Sequence, residues 1–170
     1  MKSICRMYRQ ANNATDAVIT ASYRAQGALM KTISRLESGF PQLAVSFGKA
    51  SPSKQLQALA DACSISISRT GLEGEDISRA LECIKSRKPA EASLLNKLNE
   101  LVSKYDEEYF QLDEARDHSA ITVFSKARAV SSLVFGLPMI PEQFGEALYE
   151  AISSVDDPQE IIRAVEPILF

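Results

Sequence analysis

Apolar residues recur along this chain at steps of three and four almost without interruption, the spacing that lines one face of an α-helix. Val18, Ala21, Ala25, Leu29, Ile33 and Leu36 predict a first helix over about 15–38, following Thr15 and stopped by Gly39 and Pro41. A second begins at "SPSKQL", where Ser51 suits the N-cap and Pro52 the first helical position, whose N–H has no partner to lose. Leu56, Leu59, Ala60, Cys63 and Ile67 form its face. Its end, "SISIS" at 64–68, alternates with period two, which leaves helix or strand open; helix is preferred.

A third helix, about 75–87, opens on Glu75 and Asp76, charges suited to a helix N-terminus, and closes before Pro89. The fourth and longest spans about 90–114, with Leu94, Leu98, Leu101, Tyr105 and Leu112 in a near-heptad that Glu108 interrupts. It is too short for a dedicated coiled coil and reads as the central helix of a bundle. A fifth, about 118–135, has Asp117 as cap and ends at Gly136 and Pro138. A sixth starts near Pro141. A seventh starts at "DPQE", with Asp157 as cap, Pro158 at the first position and Glu160 placed for a capping box, and it ends before Pro167. No fixed-period repeat or low-complexity linker breaks the pattern. The expected fold is all-α: one domain over 1–170, a bundle of six to seven helices with a long central helix near 90–114.

Composition agrees. The 170 residues are 45% hydrophobic and 24% charged, with seven glycines, seven prolines and no tryptophan. Few breakers in a chain of this length favour helices over a many-turned β fold. The start, "MKSICRMYRQANN", lacks a continuous apolar stretch and does not read as a signal peptide. The most apolar run, "AITVFSKARAVSSLVFGLPMI", carries Lys126 and Arg128 in its middle, so no membrane span is expected. Cys5, Cys63 and Cys83 are odd in number and lack CxxC spacing. Cys63 and Cys83 read as small apolar residues on helices, and the expected compartment is a reducing cytoplasm.

Charge changes the picture. The net charge of −3 hides an uneven layout: residues 1–71 hold nine bases against three acids, whereas 105–170 hold thirteen acids against four bases. The stretch "YDEEYFQLDEARDH" alone has six carboxylates and one arginine. At about 100° per residue, Asp106, Glu107, Asp113, Glu114 and Asp117 share an arc of roughly 120°, with Phe110 among them. This holds for Asp117 only if the helix continues to 117. Glu142, Glu146 and Glu150 form a second row at i, i+4, i+8 with no base among them. Like charges at that spacing repel by only about 0.2–0.5 kcal/mol per pair, so a solvated face suffices to explain either row. Two functional explanations compete with it. The acids face a basic partner, or they answer the basic N-terminal part of this chain or of a second copy.

Catalytic chemistry finds little support. A di-metal carboxylate bundle needs two Glu-x-x-His motifs, and the single histidine, His118, has its nearest glutamate at Glu114. His118 reads as a surface residue near a helix start. Nothing around Cys5, Cys63 or Cys83 resembles a nucleophile arrangement with His118. "GLEGED" has two glycines but no Lys-Ser/Thr and acids where a phosphate would be repelled, so it reads as a turn. Lys2, Arg6, Arg9, Arg24, Lys31 and Arg35, with Tyr8 and Tyr23, form a basic N-terminal set, but the pI of about 5.3 is far from a nucleic-acid-binding footprint.

The expectation is therefore a non-enzymatic cytoplasmic protein with no cofactor, metal, nucleic acid or membrane, which binds a basic protein partner. Its sharper form is an immunity or antitoxin protein whose acidic helical surface neutralises a toxin, for instance a nuclease. The candidate contact residues are Asp106, Glu107, Phe110, Asp113, Glu114 and Asp117, with Glu142, Glu146 and Glu150 as a second patch. Alternatives are a self-assembling structural or regulatory helical protein, or an enzyme or nucleic-acid-binding module using the basic N-terminal helix.

Overall fold

Prolines open four of the eight helices described here. Pro41, Pro52, Pro141 and Pro158 each take the first helical position, where a fixed φ fits and the missing N–H costs nothing. The computed structural model describes residues 34–170, which fall in one compact unit, Ile33–Phe170. Most of the first expected helix, and the N-terminal basic set other than Arg35, lie outside the described residues.

The helices are α1 (Arg35–Gly39), α2 (Pro41–Lys49), α3 (Pro52–Thr70), α4 (Glu75–Ser86), α5 (Ala92–Glu114), α6 (Ala120–Gly136), α7 (Pro141–Ser153) and α8 (Pro158–Leu169). No strand occurs among the described residues, and "SISIS" is helical. Three expectations need correction. The first helix does not run unbroken to 38: Ser34 is extended at φ −64°, ψ 155°, and caps a fresh turn in a reciprocal capping box with Glu37. Pro41 does not simply end a helix, because it begins α2. Pro167 lies inside α8, which continues to Leu169.

Ser51 caps α3 by accepting from the Lys54 amide, as its position implies, and Gly71 ends that helix in the left-handed region at φ 63°. Asp157 caps α8 through the Gln159 amide. Glu160 makes no capping box; it turns to Arg69 instead.

The longest helix is α5, at 23 residues, but only Leu94, Leu98 and Tyr109 are buried along it. The most enclosed is α6, which packs on α3, α4, α5 and α7 and buries residues on every side, Arg128 among them. α3 and α8 pack together, and α7 closes against α3, α6 and α8. Leu59, Ile84, Leu98, Leu133, Leu148, Ile152 and Ile161 fill the core, each worth about 1.5–3 kcal/mol on burial. Gly136 permits one close approach: a Cβ there would stand 3.1 Å from Leu59 and 3.2 Å from Ile84. No described helix is long and apolar enough to cross a membrane.

Candidate partner-binding surface

α5 carries the acidic arc, and its end decides the arc's membership. The helix stops at Glu114, and Arg116 takes a left-handed conformation at φ 58°. The Asp117 amide then reaches back to the Leu112 carbonyl, so Asp117 leaves the helical arc. Its side chain accepts from the Ser119 amide and hydroxyl, each at 2.8 Å. Those two donors hold the Asp117 carboxyl below the usual carboxylate range, so it stays ionised. Asp117 therefore orders the turn into α6 without capping that helix directly.

The other acids of the stretch divide. Glu107, Asp113 and Glu114 are exposed, and Phe110 stands among them at 37% exposure, tilted against Tyr109 with ring centroids 5.4 Å apart. Tyr109 is buried and meets Phe124 of α6 at 5.4 Å, so the aromatic set is anchored to the core. Asp106 points inward instead. Its carboxylate lies 2.5 Å from Arg128 Nη2.

Two members of the second acidic row turn inward, Glu146 in part and Glu150 fully, which takes them out of the expected surface patch. Glu142 is exposed, Glu146 is half-buried and Glu150 is only 1% exposed. On α7 the i, i+4 step puts Glu146 and Glu150 beneath Arg35 of α1, with ion-pair distances of 2.6 Å to each. Glu146 also accepts from the Arg35 amide, at 3.3 Å. Glu150 then reaches Arg128 Nη1 at 3.3 Å. The outcome is a network, Glu146–Arg35–Glu150–Arg128–Asp106, tying together α1, α7, α6 and α5. Arg128, 5% exposed, also lies over the Phe124 ring at 5.3 Å. Burying these charges is costly unless they are paired, and each charge of the network faces an opposite one. The expectation that acids of the C-terminal half answer bases nearer the N-terminus thus holds for Arg35 with Glu146 and Glu150.

Sequence reasoning gave Arg128 no role beyond interrupting an apolar run. A signal was present: at about 100° per residue Phe124 and Phe135, four residues before and seven after, share the face of Arg128, so that face is not a purely polar one.

Beside the acidic turn lies a cleft of about 590 Å³, between the end of α3, the start of α6 and the α7–α8 turn. His118, Ile121, Thr122 and Ser125 line one wall, and Val155, Asp156 and Asp157 the other. Arg69 and Glu160 cross its rim as a forked ion pair, with N···O distances of 2.5–2.9 Å. That pair keeps the Arg69 guanidinium firmly protonated. Ile121 is half exposed there, an apolar element between acidic margins.

Cys63 offers no reactive centre. Cys63 is fully buried against the Ser132 hydroxyl, and burial pushes its thiol up to about 12. No group of three His, Cys, Asp or Glu side chains suited to a metal ion occurs among the described residues.

Comparison with protein-family models, curated proteins and solved structures finds no match for this chain.

Proposed function

We propose that this chain is a non-enzymatic protein-binding protein that uses its acidic helical surface against a basic partner. The carrying observation is the exposed set Glu107, Asp113 and Glu114 around Phe110, on a helix whose inward acid, Asp106, is already neutralised by Arg128. Outward carboxylates steer a basic partner to the surface, and an aromatic ring fixed on the core supplies an anchor that loses little freedom on contact. The sharper form is an immunity or antitoxin protein, whose carboxylates would cover the basic cleft of a nuclease toxin.

Asp113→Lys with Glu114→Lys is the direct test. In capture from the native host with elution along a salt gradient, the wild-type protein should retain one stoichiometric basic protein and the double variant should lose it. Retention by a variant that also carries Glu107→Lys would refute the proposal. Toxicity of the captured protein expressed alone would support the immunity form. A complex containing only further copies of this chain would favour self-assembly.

A further inference from the structure

Arg35 sits in a more elaborate setting than a short surface helix requires. Its Nε and Nη1 each lie 2.6 Å from a carboxylate oxygen, of Glu146 and Glu150 respectively. Its guanidinium carbon stands 5.0 Å from the Tyr149 ring centroid and 5.9 Å from that of Phe135. Two carboxylates and two aromatic rings therefore surround one guanidinium. The floor, Glu150, is itself buried and fixed from behind by Arg128. A planar fork that pairs with carboxylates and stacks on rings is the chemistry by which arginine, and not lysine, is recognised.

The segment that brings Arg35 is slight. α1 has five residues and buries only Leu36. The Arg35 side chain is 35% exposed, so the site opens to solvent.

We propose that Glu146, Glu150, Tyr149 and Phe135 form an arginine-binding site, filled in cis by Arg35, which an arginine of the basic protein partner can take over. The occupant's identity rests on the proposed function; the site does not. Exchanging one guanidinium for another preserves the charge balance of three carboxylates and two guanidiniums. An ammonium would bring the charge without the fork.

The test uses the full chain with Arg35→Ala, melted in increasing arginine amide or lysine amide at matched ionic strength. The variant should melt below the wild type. Arginine amide should raise its melting temperature saturably, lysine amide should not, and the wild type, whose site is filled, should respond more weakly. Adding Glu146→Gln should weaken the apparent affinity for arginine amide several-fold. Equal responses to the two amides, or equal responses of variant and wild type, would overturn the proposal. Should Arg35→Ala not fold, Arg35→Lys keeps a cation in place; arginine amide must then stabilise it by displacing the lysine, and indifference overturns the site. No partner takes part, so failure here removes the arginine site and leaves the acidic surface to the charge-reversal test.

Discussion

Replacing Arg128 by methionine removes one guanidinium from between two carboxylates while keeping most of the side chain's volume. At about 4 Å and an effective dielectric near 20, one such pair is worth about 4 kcal/mol before desolvation is counted. Methionine avoids the desolvation cost of the guanidinium, but Glu150 remains buried. Arg35, 2.6 Å away, still answers Glu150, and Asp106, about a quarter exposed, can regain water. These compensations place Arg128→Met near the lower end of the range for breaking a buried pair, about 3 kcal/mol. Glu150→Gln is milder, because Arg35 keeps Glu146 and Arg128 keeps Asp106; about 1 kcal/mol is expected. Urea unfolding followed by far-UV circular dichroism reads both. With m about 2 kcal/mol/M, Arg128→Met lowers the midpoint by roughly 1.5 M. In a chain of this length the melting temperature falls by about 6–12 °C. The double variant should cost less than the sum of the singles. The reasoning is refuted if Arg128→Met costs no more than Glu150→Gln, or if the two add to within about 0.5 kcal/mol.

Gly136→Ala would push a methyl to 3.1 Å from Leu59 and 3.2 Å from Ile84, so a stability loss of about 1–3 kcal/mol is expected in the same urea assay. Arg87 ends α4 in the left-handed region at φ 58°, and Arg87→Gly should raise the urea midpoint, by up to about 1 kcal/mol in stability. In the folded state Cys63 keeps its proton up to about 12, whereas an unfolded thiol releases it near about 8.5. The stability this provides is whole below the unfolded value and lost as pH climbs from there through the folded one, so the midpoint gap between wild type and Cys63→Ala should shrink from neutral to alkaline pH. In thiol labelling at neutral pH, half-buried Cys83 should react in the native protein and Cys63 only on unfolding.

Helical periodicity made α3 to α8 legible because each buries a face at steps of three and four. The serines of "SISIS" alternate with isoleucines, yet Ile67 and Ser66 are both buried, which a helix enclosed on two sides permits and an alternating strand does not. α2 was hidden because Gly39 and Pro41 resemble a stop, and the same proline is equally good as a start. Pro167 stays in α8 close to its C-terminus, where few helical turns remain to be disrupted. For the surface, one-dimensional charge spacing found the carboxylates but not their direction. Whether Glu146, Glu150 and Asp106 meet solvent or a guanidinium depends on Arg35 and Arg128, distant in sequence and brought close by packing. Glu107, Phe110, Asp113 and Glu114 are exposed where the helical arc placed them.

The buried network also constrains how this sequence can drift. Losing Arg128 leaves the buried Glu150 with one cation fewer and losing Glu150 removes a bond from each arginine, while exchanging the buried charges together for well-packed apolar residues is often neutral or stabilising. Two viable kinds of sequence are thus separated by single steps that are each unfavourable. Positions 106, 128 and 150, far apart along the chain, should therefore change together or not at all, leaving a covariation signal that marks where α5, α6 and α7 meet.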